Sequence, residues 1–580
     1  MPKRILFNEM DNISASNTLL KAAFAHHREG RLTAAEALYR QVLEIDSHHP
    51  HALSMLGMIL MNGSGNDEAE SLFLRHLDVD PDNALTLHNL GQLYQGKGND
   101  SDAVALFRRA GAGKPDLAPI FNDLAVSLHR LGQWDEALVE LDRALGIDPY
   151  FGVAHDNRGV VLYDCRRFRE AVEAHRLALA YTPIDATSAR ISTLLHLSRA
   201  AYEAAELAST EQACRAILEM DANNAVAIEY LAKTLYRLCR NDEALSLLNR
   251  RARNQGLAKE EQPEHPVATI LVVGGVGANH VPTRYLFDPA LFATMTLTLL
   301  SPDQADAPLG GVNHDELTAA DLIFNTLGEV EKDGGQVASV KTLSARLGKP
   351  IINPPDRVAR TGRDRVHELF GDIPGLLVPD VRWMMRNDLL GLSTFDVPFL
   401  IRPSGAHGGE DLALIHTSTD LAQYLAKVPY DRFLLTDFHD FKDTQNCYRK
   451  YRFIFVDRQP YPYHLAIAEN WLVHYWRAEM GRTDWKQREE EDFLTDWHQV
   501  FGSKAAAIVE QVAQRLDLDY GGMDCSILPN GEVLLFEANA CMLVHLDDTV
   551  ADFSYKHQAV PRIRDAVTCM VRKLLKRSPI

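Results

Sequence analysis

Three oxygen-bearing side chains stand close together near the end of the chain: Asp524, Glu537 and Asn539. They belong to two β-prone runs, Gly521-Gly522-Met523-Asp524-Cys525-Ser526-Ile527-Leu528 and Val533-Leu534-Leu535-Phe536-Glu537-Ala538-Asn539. Between the runs lies Asn530-Gly531, a strong hairpin signal. Alternation along a strand places Glu537 and Asn539 on one face, and Asp524 on the partner strand can face them. Three oxygen donors on a rigid hairpin suit Mg²⁺, which keeps several waters and takes its remaining ligands from nucleotide phosphates. An ordinary hairpin with polar edge residues is the simpler alternative, but acidic residues amid apolar strand neighbours argue against it.

A second group precedes the hairpin. His464, His474 and Arg477 lie among aromatics in Tyr461-Pro462-Tyr463-His464 and Asn470-Trp471-Leu472-Val473-His474-Tyr475-Trp476-Arg477. Such groups bind a carboxylate or take a proton from an amine. Equally, histidines fill partly buried positions with no chemistry to perform. His407 could touch phosphate or merely cap a turn, and His545, just beyond the hairpin, is open in a similar way.

These residues need a scaffold. Ile270–Val273, Met295–Leu299, Leu322–Asn325 and Pro350–Ile352 read as strands alternating with helices, which predicts a parallel sheet over residues 267–355. Gly274-Gly275-Val276-Gly277 follows the first strand without the spacing of a dinucleotide fingerprint. Its glycines are expected to let the chain turn sharply at a strand end.

The hairpin resembles the metal-binding end of the ATP-grasp superfamily, whose pattern is Asp, about a dozen residues, then Glu-x-Asn. Upstream segments match in the same order. Asn353-Pro354-Pro355-Asp356, leading to Arg365, is similar to the entry into the nucleotide-binding region. Phe399 to Arg402, followed by His407-Gly408-Gly409, is similar to the strand and glycine-rich lid over the phosphates. Phe433 to Asp437 and Phe438 resemble the strand that receives adenine, and Tyr451-Arg452 the strand carrying a catalytic arginine. The resemblance spans residues 267 to about 575 and is nearest to ligases of the glutathione synthetase and ribosomal-protein glutamate ligase type. It implies an α/β and α+β ATP-grasp fold, with a parallel-sheet domain at 267–355 and a catalytic region at 356–580. It further implies ATP and Mg²⁺, metal ligands Asp524, Glu537 and Asn539, nucleotide contacts from Arg365, Arg402, Gly408, Gly409, Asp437 and Phe438, and charge stabilisation by Arg402 and Arg452. Arg365 and Arg402 stand where the family usually has lysine, with Arg360 and Arg363 as rivals for the first position. The implied reaction joins a small-molecule carboxylate to an amine through an acyl phosphate. A kinase acting on a hydroxyl and an inactive scaffold are the alternatives.

The first half is periodic. Asp46, Asp80, Lys114, Asp148 and Thr182 recur every 34 residues, the last four each followed by proline, and Asp221 comes after a step of 39. Leu90, Gly91, Tyr94, Gly98, Ala103, Phe107, Ala110 and Pro115 find matches one period later at Leu124, Ala125, Leu128, Gly132, Ala137, Leu141, Ala144 and Pro149. Each unit reads as two amphipathic helices closed by a proline that the second helix cannot cross. The pattern resembles the tetratricopeptide repeat, about seven units over residues 17–256, after a tail at 1–16 and before a linker at 257–266. The extra residues of the long step are expected near Ser209-Thr210. Such hairpins stack into an all-α solenoid with a groove for a peptide or protein. Asn89, Asn122 and Asn157 are candidate groove contacts, or else solvated or capping asparagines.

Composition closes off other classes. A formal charge of −19 argues against a general nucleic-acid or anionic-membrane binder. The start lacks the apolar core of a signal peptide, and Val267 to Ala278 is too short to span a bilayer. Seven scattered cysteines without a CxxC pair read as reduced thiols, and the chain is expected in the cytoplasm.

Overall fold

The computed structural model describes residues 2–63, 65–260, 263–276, 281, 283–300, 309, 312–328, 330–392, 398–403, 411–475, 478, 480, 483–540, 542–545 and 555–577. It divides into two compact units, residues 1–234 and 235–580.

The first unit is built of helix pairs. Ala84–Gly96 with Asp100–Gly113, Ala118–Arg130 with Trp134–Ile147, and Gly152–Asp164 with Phe168–Tyr181 repeat one design. The second helices stop two residues before Pro81, Pro115, Pro149 and Pro183, as the repeat predicts. Inside each pair a small residue on the first helix meets a large one on the second. A Cβ built on Gly91 would stand 2.5 Å from the Phe107 ring, and one on Gly57 equally close to Phe73. Ala125 and Leu141 hold the same two positions one period on, both fully buried.

The turn between paired helices repeats as well. Gly30, Gly98 and Gly132 adopt positive φ, and the later turns place Arg166, Ala205 and Cys239 there at φ of 61°, 60° and 56°. A side chain in this region is strained, which glycine avoids.

Three features differ from the sequence reading. Helix Pro2–Arg28 takes up the stretch read as a tail. Four of the five added residues of the long step lengthen helix Thr187–Glu203, which has 17 residues where its counterpart Gly152–Asp164 has 13, and the fifth lies in the turn before it. One added turn leaves the buried face in place, because four residues nearly complete a 3.6-residue turn. Finally, β1 (Leu257–Lys259) lies in the stretch read as a linker and pairs antiparallel with β3 (Phe292–Leu299).

The second unit holds three sheets. In the first, β3, β2 (Ala268–Gly275), β4 (Leu322–Asn325) and β5 (Ile351–Ile352) run parallel, in the order β1-β3-β2-β4-β5. Leu271 and Val273 pack toward helix Val330–Leu347; Ile270 and Val272 pack on the other face. Gly275 lies within β2, where a Cβ would stand 2.2 Å from Gln336 Oε1. Its lack of a side chain therefore admits a close neighbour rather than a sharp turn; Gly277 lies outside the described residues.

Next come β6 (Leu376–Leu377) and β7 (Val381–Met385), then β8 (Phe399–Pro403), β9 (Ala413–Ile415) and β10 (Arg432–Asp437). Strands β7, β10, β8 and β9 form an antiparallel sheet in that order. The last sheet is β12 (Gln459–Ala468), β11 (Tyr448–Val456), β13 (Tyr520–Ile527), β14 (Val533–Asn539) and β6. On one face, Tyr451 and Phe453 meet Phe493, Trp497 and Phe501 edge to face, with ring centroids 4.9–5.2 Å apart. On the other, Ile454 and Val456 join the core of Ile270 and Val272 and of helix Lys556–Arg577. Asn353, with a positive φ of 59°, ties the two sheets: its side chain donates to the Tyr520 carbonyl at 2.7 Å and accepts from the Tyr520 N–H at 2.9 Å.

Among the described residues no helix is long and apolar enough to cross a membrane, and six cysteines are free. Cys541 lies outside them. Exposed Ala205 makes the turn strain measurable. Ala205→Gly should stabilise the chain by about 0.5–1 kcal/mol in urea unfolding, as relief of the left-handed strain exceeds the added freedom of the unfolded chain.

Candidate functional site

The ionisable residues of the last sheet fall on one line. Arg452 on β11 is the register partner of His464 on β12 and of Asp524 on β13, and Asp524 is the partner of Glu537 on β14. Four strands thus contribute one residue each to a row running across their direction. Both outer pairings slip beside the row: Phe453 pairs with Pro462, leaving Tyr463 extra, and Cys525 pairs with Leu535, leaving Phe536 extra. Such bulges re-aim side chains locally.

The row is tightly bonded. Arg452 donates through Nε and Nη2 to both oxygens of Asp524, at 2.6 and 2.8 Å. Lys450 Nζ lies 3.1 Å from the same carboxylate, which is 2% exposed. Asn539 donates to Glu537 Oε1 at 2.6 Å, so these two share a face. Arg363 reaches the same oxygen at 3.2 Å.

Burial alone raises the pKa of a carboxyl group. At Asp524 that effect is outweighed by Arg452, then Lys450, and the group is held far below the usual carboxylate range. At Glu537 it is outweighed chiefly by Arg363, with Arg402 and Arg452 adding to it, and the group lies below its ordinary value. Four cations, Arg363, Arg402, Lys450 and Arg452, therefore act on two ionised carboxylates. His464 is driven the other way. Burial first, then the Arg452 charge, keeps its imidazole neutral. Its Nε2 is buried without a hydrogen-bond partner among the described residues.

Behind His464 sits a second cluster that the sequence did not disclose. The His464 ring lies 4.7 Å from that of Tyr475, over which Lys556 Nζ stands at 3.8 Å. Glu490, fully buried, accepts from Tyr555 at 2.7 Å and from the Leu465 N–H at 3.2 Å, with Lys556 3.1 Å away. That backbone bond falls on β12, the edge strand of its sheet. Burial pushes the Glu490 carboxyl up to about 8 and the Lys556 amine down to about 7. Nothing local in the sequence marks Glu490, which is one of three consecutive glutamates. Lys450 was findable, since it lies two residues before Arg452 on the same strand face.

The other expected residues distribute unevenly. Arg365 is exposed, and so is Arg360; Arg363, on the same short turn as Arg365, is the one that reaches the row. Arg402 is half-buried on β8, opposite Leu434. Asp437 ends β10, and Phe438 follows it with its ring 6.0 Å from Trp471, where the chain leaves one sheet for the next. His474 is half-buried, and His545 is exposed, its N–H donating to the Tyr463 hydroxyl at 2.7 Å. His407, Gly408, Gly409 and Arg477 lie outside the described residues.

In the repeat unit the asparagines do not form one series. Asn89 and Asn157 recur with Asp123, whereas Asn122 recurs with His88 and Asp156. The structure joins the two series from unit to unit. His88 Nε2 lies 2.8 Å from Asp123 Oδ2, and Asn157 donates to Asn122 Oδ1 at 2.8 Å. Asn122 is 4% exposed, so its amide is spent within the array rather than turned to solvent. Asn89 and Asn157 are half-buried.

Family models of the tetratricopeptide repeat match residues 26–93 and 83–110. The N-terminal region is therefore a tetratricopeptide array, followed by a mixed α/β region. No curated protein matches the chain. Among solved structures, a crystal structure of MamA is 21% identical, covering 27% of this chain and 93% of that one, with a TM-score of 0.26. The pilF protein of Pseudomonas aeruginosa is 16% identical over 38% of this chain and 99% of its own, with a TM-score of 0.34. YrrB, described as a TPR protein with an unusual peptide-binding site, is 23% identical over 32% of this chain and 92% of its own, with a TM-score of 0.27.

The buried pair sets a testable pH dependence. Asp524 has a depressed pKa, so its contribution to stability is complete above the unfolded value of about 3.9 and is lost as pH falls from there toward the folded value. Asp524→Asn should cost about 3 kcal/mol at pH 7, because Arg452 and Lys450 lose their counter-charge. Urea unfolding at several pH values should show that difference constant at neutral pH and shrinking below about pH 4.

Proposed function

We propose that the α/β unit is an ATP-dependent carboxylate–amine ligase and that the repeat array binds a peptide or protein partner. The observation that carries the proposal is the row His464–Arg452–Asp524–Glu537, in which four cations surround two ionised carboxylates. A site that gathers four cations suits a polyanion such as a triphosphate. Two ionised carboxylates and an amide oxygen, set side by side on β13 and β14, fit a hard divalent cation. Asp524, Glu537 and Asn539 would hold Mg²⁺, which supplies neutralisation of phosphate charge.

The remaining chemistry falls to the chain. A substrate carboxylate oxygen attacks the γ-phosphorus of ATP, the bond to the bridging oxygen breaks, and ADP leaves. Arg402 and Arg363 orient and neutralise the transferring phosphoryl group. An amine nitrogen then attacks the acyl carbon, loses a proton, and expels phosphate. Arg452, fixed by two bonds to Asp524, faces the charge that develops on the acyl oxygen. Neutral His464 offers Nε2 as acceptor for an amine N–H, and Lys556 behind it favours a carboxylate on the second substrate.

A second reading has its own support. Both Asp524 oxygens are already occupied by Arg452 and Lys450, as they would be in a binding protein that no longer turns over. A coupled ADP-release assay separates the two. Release should require acid and amine together, and Glu537→Gln should lower it by on the order of 100-fold or more. Turnover unchanged by Glu537→Gln removes the metal assignment; absence of turnover with any acid and amine pair favours the binding protein.

A further inference from the structure

The repeat array contains a place where two of its periodic features coincide. The first is the small-to-large contact inside each hairpin. Its large member is Phe73, Phe107 and Leu141 in successive units, and in the next it is His175. Gly159 makes the room, since a Cβ there would stand 2.4 Å from the His175 ring. The second is the polar rung between first helices, His88 to Asp123 and Asn122 to Asn157. The next rung joins Asp156 to His196, its register carried across the step of 39 residues.

At this one rung the two features share a carboxylate. His175 Nδ1 lies 2.8 Å from Asp156 Oδ1, and His196 Nδ1 lies 3.1 Å from Asp156 Oδ2. The side chains come from three helices, Gly152–Asp164, Phe168–Tyr181 and Thr187–Glu203. One ligand atom from each lies within 4.8 Å of the others. Among the described residues no other group of three His, Cys, Asp or Glu side chains meets that condition. His175 is 1% exposed, Asp156 is partly buried and His196 is about one-third exposed, so the group has a buried floor and an open side.

We propose that Asp156, His175 and His196 bind a borderline divalent transition-metal ion, of which Zn²⁺ is the best fit. Two imidazole nitrogens and one carboxylate oxygen are a donor set such ions prefer, while Mg²⁺ and Ca²⁺ prefer oxygen alone. Tetrahedral coordination at metal–ligand distances of about 2.0–2.2 Å separates ligand atoms by about 3.3 Å, close to both measured His–Asp distances. Three protein ligands leave a fourth position for water, on the open side. Packing alone would favour an apolar side chain at position 175, as with Phe73, Phe107 and Leu141; the imidazole there instead brings a nitrogen to Asp156.

The array supplies its own control substitutions. His175→Phe copies Phe107, Asp156→Asn copies Asn122, and His196→Asn copies Asn157, so each places a residue that another unit of the array already accommodates. Full-length protein, stripped with a chelator, is titrated with Zn²⁺ and separately with Co²⁺. The readouts are metal per chain after dialysis, Co²⁺ visible absorption and thermal unfolding by circular dichroism. Glu537→Gln serves as the reference for metal bound elsewhere. The proposal expects one Zn²⁺ per chain at this site, weakened by on the order of 100-fold or more in each array variant and unchanged in Glu537→Gln. It also expects a Zn²⁺-dependent rise in unfolding temperature that the array variants lose while keeping their helical signal. Zn²⁺ affinity equal in wild type and array variants, no retained Zn²⁺, or loss only in Glu537→Gln would overturn it and leave the triad as a hydrogen-bonded rung. Because no readout is turnover, the outcome is independent of the ligase proposal.

Discussion

The bidentate pair between Arg452 and Asp524 is the interaction on which the α/β unit turns. An ionised carboxylate at 2% exposure is tolerable only with a partner of opposite charge and satisfied hydrogen bonds. That partner must come from the neighbouring strand, so β11 and β13 have to pair in one register. A slip of one residue would turn Arg452 to the other face, into the aromatic layer of Phe493, Trp497 and Phe501. The aromatic floor and the row are therefore two consequences of one register. Further along the same face of β11, Ile454 and Val456 take over and bind the parallel sheet. The charged row sits where that apolar contact ends.

How much of this was legible depends on the distance over which each signal acts. A hairpin is local, and the Asn530-Gly531 turn brings the two runs together; regular pairing would set Asp524 opposite Phe536, and the bulge there, which the sequence does not mark, puts Glu537 in that place. The repeat is also readable, because every unit states its rule again at a fixed spacing. The parallel sheet emerged from four short apolar runs, of which Ile270–Val273 and Leu322–Asn325 are buried throughout and so read as strand. Pairing Arg452 with Asp524 is different. Seventy-two positions separate them, and no pattern in either strand alone names the partner. Arg363 and Arg365 illustrate the limit at short range. They lie on a single turn of chain, and which of them points inward is settled by packing that the sequence does not spell out.

The repeat unit shows the converse difficulty, in which a strong pattern hides an offset. Asn89, Asn122 and Asn157 look like one series until the spacing is counted, when Asn122 falls one residue out of step. On a helix one residue is about 100° of rotation. That rotation puts Asn122, at 4% exposure, in the series of His88 and Asp156, and it accepts from Asn157, a member of the other series, in the next unit. The added turn in helix Thr187–Glu203 was hidden for a related reason. A four-residue insertion nearly preserves the face of a helix, so the apolar pattern continues through it and leaves no local mark of where it entered.

Both units handle buried charge by sharing it between neighbours, and they differ in what remains. In the array the rungs His88–Asp123 and Asn122–Asn157 are closed, and their partners satisfy one another. The row in the last sheet is denser. Arg363, Arg402, Lys450 and Arg452 act on Asp524 and Glu537 among apolar strands. Self-sufficient packing gives no reason to gather four cations there, since each must be drawn out of water. An anionic ligand would give one, as the proposed ligase requires. That gathering of cations is what sets the row apart from the His88–Asp123 and Asn122–Asn157 rungs of the repeats.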